Sequence, residues 1–185
     1  MGKQASLSAN PAPLGLLGFG STTILLNLAN AGIIEMSTMI LAMGVFYGGI
    51  AQMIAGIMEF KNGKGFGAVA FLSYGSFWLT LVGLLVFPKL GWMNGPSSAS
   101  MAAYFIVWGI ITLGFLFMTI KSKASFLVFL TLVILFFLLA AGELTGNAAL
   151  KIFTGYEGII CGALAVYDAL GQMINEFYGR TILPL

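Results

Sequence analysis

The sequence between Leu14 and Ile34 contains no charged residue, and this constrains the fold more than any other feature of the chain. The run has 21 residues, and at about 1.5 Å per residue a helix of that length spans the roughly 30 Å hydrocarbon core of a bilayer. Just before it, Asn10 is a suitable N-cap. Pro11 suits the first helical position because its missing N–H would have no partner there. The sequence therefore predicts a membrane-spanning helix that starts near Pro11.

Five further apolar runs follow the first one. The chain of 185 residues is 59% hydrophobic and only 8% charged, whereas a typical soluble domain is about 25% charged. This composition predicts an all-α membrane protein. We expect residues 1–185 to form a single integral membrane domain, a bundle of six transmembrane helices at about residues 14–34, 36–58, 66–87, 101–120, 124–142 and 155–177.

Basic residues are distributed unevenly between the two ends of the predicted helices. Lysine and arginine accumulate on the cytoplasmic side of membrane proteins. One side of this bundle carries only Lys89 and Lys151. The other side carries Lys3, Lys61, Lys64, Lys121, Lys123 and Arg180. We therefore expect a multi-pass protein of the cell membrane with both termini in the cytoplasm.

The N-terminal segment permits a second interpretation, a cleavable signal peptide made of Lys3, an apolar stretch and Ala29-Asn30-Ala31. The apolar run is longer than the core of a usual signal peptide, and Asn27 interrupts its end. Cleavage would also leave five helices and spoil the charge asymmetry. A first transmembrane helix is the favoured interpretation.

Neutral polar residues are spread along the predicted spans. One face of the first helix carries an aromatic ring followed by three hydrogen-bonding groups, at spacings i, i+4, i+8 and i+11: Phe19, Thr23, Asn27 and Asn30. Later spans add Tyr47, Gln52, Ser73, Tyr74, Ser76 and Thr80. These side chains can bond neighbouring helices or line a path for a small polar solute, and both interpretations stay open. No lysine or arginine lies mid-span, so a solute carboxylate would cross either weakly bound or protonated.

Asp168 is the one acid deep inside a predicted span. A carboxylate in that position costs about 2.5 to 3.5 kcal/mol unless it faces water or a partner. Asp168 shares a helical face with Gln172, Asn175 and Glu176, which suits a water-filled cytoplasmic vestibule. Two roles stay open: a proton acceptor or solute contact, and an acid that only faces the vestibule or a helix interface.

Several function classes lack the residues they need. The sequence has no histidine and a single cysteine, Cys161, so it offers no metal-binding cluster and no histidine to activate a nucleophile. It has no phosphate-binding Gly-Lys-Ser or Gly-Lys-Thr loop, which excludes a self-contained ATP-driven pump. The net charge of +2 gives no footprint for nucleic acid. We expect neither an enzyme nor a protein with a metal, a cofactor or a nucleic-acid partner.

The segment Asn10-Pro11-Ala12-Pro13-Leu14-Gly15-Leu16 resembles the signature of the acetate uptake transporter family, the succinate-acetate permeases of bacteria, archaea and fungi. Further matches follow in order at residues 46–52, 73–78, 146–149 and 179–181. The resemblance covers essentially the whole chain.

The resemblance implies a particular architecture. Members of this family are six-helix bundles similar to the urea channels, assembled as hexamers with one pore per protomer. Each pore is narrowed by a hydrophobic constriction, which corresponds here to Phe19, Tyr74 and Leu132. If the first, third and fifth helices begin near residues 11, 66 and 124, all three side chains lie at a depth of about 12 Å. Residues expected along the substrate path are Thr23, Asn27, Asn30, Tyr47 and Gln52.

The expected function is transport of acetate and related short carboxylates, with succinate as a possible substrate. Whether the protein acts as a channel or as a proton-coupled permease stays open at this point. One alternative is a channel for small neutral solutes such as urea or ammonia. The other is a membrane scaffold that transports nothing and uses its polar residues only to hold helices together.

Overall fold

A computed structural model describes residues 9–185, so Lys3, which contributes to the predicted orientation, lies outside the described residues. Within this part of the chain, six helices are long and apolar enough to cross a membrane. They are α1 (Ala12–Asn30), α2 (Thr38–Lys61), α3 (Gly65–Val86), α4 (Ser98–Leu116), α5 (Lys123–Thr145) and α6 (Ala148–Tyr178). The all-α bundle of six helices that the sequence predicts is confirmed.

The starts of α1, α3 and α5 meet the last turns of α6 at one end of the bundle. Asn10, just before α1, bonds both Lys64, just before α3, and Gln172 of α6. Ser125, in the first turn of α5, bonds Asp168 of α6. We call this end the basic end, because the more basic side predicted from the sequence lies there. The opposite end carries Lys89 and Lys151.

Several helix boundaries differ from the predicted spans, most notably the end of α1 and the start of α6. The first helix stops at Asn30 instead of reaching residue 34, and Gly32 turns the chain with a φ of +74°. The last helix begins at Ala148, well before residue 155, because the Asn147 side chain caps it by accepting the N–H of Leu150 at 3.2 Å. This helix has 31 residues, more than the roughly 20 that cross a bilayer.

The N-cap of α1 lies one residue after the position that the sequence predicts. The helix is assigned from Ala12, with Pro11 at the N-cap position. Even so, the Oδ1 atom of Asn10 accepts the backbone N–H of Ala12 at 3.3 Å. Its Nδ2 atom donates to Gln172 Oε1 at 3.0 Å, so the same side chain also ties α1 to α6.

Glycines let α1 and α6 approach closely. A Cβ atom added at Gly20 would lie 2.7 Å from the carbonyl oxygen of Gly162, and one added at Gly162 would lie 2.7 Å from that of Gly20. Gly158, one turn earlier on α6, faces the amide of Asn27. Small residues at such contacts allow dense packing in lipid, where the hydrophobic effect does not drive helices together. The Gly158-x-x-x-Gly162 pattern therefore serves the α1–α6 interface.

The middle of α2 is a π-helix of nine residues, Met43–Ala51. Bonds from residue i to i+5 are rare in proteins, usually occupy a single turn, and often occur at functional sites. Gly44, Gly48 and Gly49 of this segment are all buried. Gly44 lies against α3, Gly48 against α1 and α3, and Gly49 against α3 and its own segment. The sequence predicts a regular helix here, and the wider turn changes the direction in which the next residue, Gln52, points.

Candidate solute path

Three cavities lie one after another beside α5. The helix contributes Ser125 and Phe129 to a basic-end cavity. It contributes Leu132, together with Phe129, to a central cavity. It contributes Leu139 and Glu143 to an opposite-end cavity. These residues share one face of α5, and the 18 positions from Ser125 to Glu143 rise about 27 Å, so the cavities extend over most of the thickness of a bilayer.

The central cavity is bounded by the three residues that the resemblance marks as a constriction. Phe19, Tyr74 and Leu132 all line it, and none is more than 5% exposed. The rings of Phe19 and Tyr74 touch, with centroids 5.7 Å apart. The cavity has a volume of about 20 Å³, which is room for about one water molecule. The structure therefore brings the three side chains together at a point too narrow for a solute larger than water.

The helix starts place these side chains at a common level. Phe19 lies seven residues after the start of α1. Tyr74 lies nine residues after the start of α3, and Leu132 nine residues after the start of α5. At about 1.5 Å per residue, the three lie roughly 11 to 14 Å from those starts.

The hydroxyl group of Tyr74 is already engaged. It lies 2.9 Å from Thr112 Oγ1, and Thr112 in turn donates to the carbonyl oxygen of Trp108 at 2.7 Å. Since a threonine hydroxyl has only one proton, Tyr74 must donate its own proton to Thr112. Tyr74 therefore contributes mainly its ring to the central cavity, and Thr112 of α4 fixes that ring. Thr112 was not identified from the sequence, where it is one hydroxyl in an apolar run.

Gln52 is the polar side chain of the central cavity that lacks a partner. It is 1% exposed, and its Oε1 atom has no hydrogen-bond partner among the described residues. An unpaired buried polar group costs about 1 to 3 kcal/mol, so such groups call for an explanation. Gln52 follows directly after the π-helix and lines the cavity beside Phe19 and Tyr74. Its amide is in position to bond a polar group of a solute.

The opposite-end cavity, of about 180 Å³, combines neutral and charged groups. Asn30, which the sequence predicts to lie on the path, lines it together with Thr154. Lys151 and Glu143 also line it, and their charged groups are 3.8 Å apart.

The basic-end cavity, of about 430 Å³, lies directly against the central one. The two share the lining residues Leu16, Ala70, Phe71 and Phe129. The residues that line the basic-end cavity but not the central one include Ser125, Gln172 and an ion pair of Lys64 with Glu59, whose charged atoms are 3.4 Å apart. A solute that leaves the central cavity on this side therefore meets polar groups.

Asp168 lies behind the wall of the basic-end cavity. It is 1% exposed and accepts a hydrogen bond from Ser125 Oγ at 2.8 Å and another from Gln172 Nε2 at 2.9 Å. Both donors line the cavity. The acid is thus one side chain away from the path and is satisfied by two neutral donors.

Three other predicted path residues line none of the three cavities. Thr23 donates to the carbonyl oxygen of Phe19 at 2.8 Å. Asn27 donates to the carbonyl oxygen of Thr23 at 2.9 Å, and its side chain packs against Gly158. The carbonyl of Tyr47, inside the π-helix, packs against Gly18 of α1. The hydrogen bonds of Thr23 and Asn27 thus lie within α1, and Asn27 and Tyr47 also lie at its contacts with α6 and α2.

Six apolar helices that enclose two mouth cavities and a ring-closed centre define an all-α, multi-pass membrane protein of the channel or transporter class. The chain belongs to the GPR1/FUN34/yaaH family, whose model matches residues 3–184.

Known proteins similar to the chain cover nearly all of it. It is 54% identical to the succinate-acetate/proton symporter SatP of Escherichia coli (strain K12), over 96% of the chain and 95% of that protein. An uncharacterised protein of Methanothermobacter thermautotrophicus is also 54% identical, over 96% of the chain and 91% of that protein. The solved structure of the bacterial acetate channel SatP superimposes with a TM-score of 0.94 at 54% identity, covering 96% of this chain and 98% of that one.

Proposed function

We propose that the chain transports acetate and related short carboxylates, succinate included, across the cell membrane through the three cavities. The observation that supports this most directly is the central cavity, an apolar constriction with one unpartnered buried amide. A short acid has a methyl or methylene group that suits the side chains of Phe19, Tyr74 and Leu132. Its carboxyl group can bond the amide of Gln52. The similarity to a succinate-acetate symporter and an acetate channel favours the same substrate class.

The solute crosses the constriction weakly bound or protonated. The residues that line the central cavity carry no charge, whereas a tight site for an ionised carboxylate normally uses an arginine. Weak binding lets a solute leave as readily as it enters. Both a channel and a proton-coupled permease fit this arrangement, and the names of the two similar proteins differ on the point, one being a proton symporter and the other a channel.

The remaining features of the proposal concern the surroundings of the chain. The basic end faces the cytoplasm, following the asymmetry of lysine and arginine. The protein is a transporter of the plasma membrane and not an enzyme. Six copies form a hexamer with one path in each protomer, as the family resemblance implies.

The proposal is tested by the entry of labelled acetate into proteoliposomes, with and without an imposed inward proton gradient. We expect entry above that of protein-free liposomes, and altered selectivity among short acids in Phe19→Ala and Tyr74→Ala, because both remove a ring from the constriction. Accumulation only with the gradient identifies a permease, and simple equilibration identifies a channel. Absence of entry would overturn the proposal in favour of a scaffold, and entry of urea or ammonia without competition by acetate would favour a neutral-solute channel.

Asp168 is proposed to act as a proton acceptor next to the path. Acetate entry into protein-free liposomes has a pH dependence of its own, which is subtracted first. Asp168→Asn should remove the pH dependence of the remaining, protein-mediated entry. An asparagine can still accept from Gln172 and donate to Ser125, so only the charge and the proton are lost. Glu176→Gln, a change of an exposed acid on the same helix, is the control and should keep the wild-type profile. A normal pH profile in Asp168→Asn would show that Asp168 only holds α5 to α6.

A further inference from the structure

Lys64 is the cation of the basic-end cavity. Its Nζ atom lies 3.4 Å from Glu59 Oε1 and 3.2 Å from Asn10 Oδ1, and its side chain is 52% exposed. An ammonium group has three donors, so a carboxylate that arrives in the cavity finds one of them available. The lysine thus stands where a solute passes between the cytoplasmic side and the constriction.

Glu59 already places a carboxylate on this lysine. Its side chain is only 3% exposed, so it is folded inwards beside the cavity instead of extending into solvent. Its second oxygen, Oε2, lies against Gly67 in the first turn of α3, and a Cβ atom at that position would overlap it. The absence of a side chain at Gly67 therefore makes room for the carboxylate. The group bound to Lys64 has the same chemistry as the proposed solute.

Lys64 is held in place by a second set of contacts that does not involve Glu59. Asp168 accepts from Gln172 at 2.9 Å, Gln172 accepts from Asn10 at 3.0 Å, and Asn10 accepts from Lys64 at 3.2 Å. In this series of hydrogen bonds, the amides of Gln172 and Asn10 both direct their NH₂ groups towards the carboxylate of Asp168 and their oxygens towards the ammonium of Lys64. The charges at the two ends favour the same orientation of the amides. The ammonium therefore stays at the cavity when Glu59 leaves it.

We propose that Lys64 forms a carboxylate-binding site at the basic end, that Glu59 is an internal carboxylate which occupies this site, and that the solute displaces it during passage. This inference rests on the proposed function and adds a site outside the constriction. A tethered group acts at an effective concentration of millimolar or above, so Glu59 competes with solute at millimolar concentrations. The competition lowers the apparent affinity of the Lys64 site for the solute, and a low affinity lets the solute leave the site during passage.

The inference is tested by titrating purified protein with sodium acetate at constant ionic strength, with sodium methanesulfonate as the balancing salt. The readout is the rise in unfolding temperature, since a ligand stabilises the state that binds it. Glu59→Gln keeps the shape of the side chain and removes the competing charge, so the half-saturating acetate concentration should fall about tenfold. Lys64→Gln should raise it several-fold. Glu35→Gln, which removes an exposed acid that lines none of the three cavities, is the matched control and should leave the titration unchanged.

A second variant separates competition from a structural role of Glu59. Gly67→Ala should push the carboxylate off Lys64 without removing its charge, and should also lower the half-saturating concentration. If Glu59→Gln does not fold, the titration of Gly67→Ala alone decides whether Glu59 competes with acetate. Superimposable titrations of wild type, Gly67→Ala and any folded Glu59→Gln would overturn the inference, as would an unchanged titration of Lys64→Gln. The titration requires no flux, so expected binding shifts in a protein that transports no acetate would overturn the proposed function alone.

Discussion

Gln52→Leu is expected to lower the rate of acetate entry at least about tenfold while leaving the protein as stable as wild type or more stable. The NH₂ group of Gln52 can donate to an ionised carboxylate, a hydrogen bond that contributes about 1.5 to 3 kcal/mol, and each 1.4 kcal/mol on a barrier changes a rate about tenfold. The stability prediction has the opposite sign because Oε1 of Gln52 has no partner in the described residues. Leucine removes that unpaired group and fills a similar volume. The measurements are labelled acetate entry in proteoliposomes and thermal unfolding of the same preparations.

Gln52→Asn is the matched variant. It keeps an amide but shortens the side chain by one methylene, so we expect entry to be intermediate between wild type and Gln52→Leu. If Gln52→Leu instead loses as much stability as the removal of a hydrogen-bonded buried amide, Gln52 holds the helices together. Unchanged entry in a stable Gln52→Leu protein would mean that the constriction conducts without a polar contact.

The number and approximate position of the helices could be predicted from the sequence because charge is absent from long stretches. A single charged residue inside lipid is costly, so the uncharged runs had to follow the bilayer. The ends of the helices were less predictable. The segment between residues 142 and 155 lies outside the predicted spans, but Asn147 caps α6 early and the helix begins at Ala148.

The π-helix could not be predicted from the sequence. Its glycines indicate only that something packs closely there. What favours the wider turn is tertiary packing: Gly48 is pressed against Thr22 of α1 and Trp78 of α3, and Gly49 against Leu79. The position of Gln52 at the central cavity depends on that segment, so the prediction that Gln52 lies on the path did not include the geometry that places it at this cavity.

The sequence predicts those parts of the candidate site that depend on the position of a residue along its own helix. Phe19, Tyr74 and Leu132 came from the family resemblance, and counting from the helix starts predicts a common depth for them. Thr112 is different because it lies 38 positions after Tyr74 in the sequence. The two side chains meet only when α3 packs near α4. Glu59 and Lys64 lie in what resembles a solvated turn. Glu59 is buried beside Gly67 of α3, and Lys64 is held at the cavity by Asn10 from the start of α1, so both positions depend on how the helices pack.

Leu132→Ala is expected to admit longer acids. Leu132 is 3% exposed and lines the central cavity opposite the rings of Phe19 and Tyr74, so shortening it widens the constriction directly. One methylene more or less in an apolar pocket changes a barrier by about 1 to 3 kcal/mol. We therefore expect the rate of lactate entry relative to acetate entry to rise about tenfold or more, measured with both labelled acids in parallel proteoliposome preparations.

The comparison with Leu135→Ala separates the width of the constriction from a general loosening of the bundle. Leu135 is as buried as Leu132 and lies on the same helix, but it does not line the central cavity. Both variants should lose stability, by about 2 to 5 kcal/mol for a buried leucine, whereas only Leu132→Ala should change the ratio of lactate to acetate entry. Equal ratios in the two variants would indicate that selectivity depends on the packing of the whole bundle. A change confined to Leu132→Ala locates selectivity at the level where α1, α3 and α5 bring their side chains together.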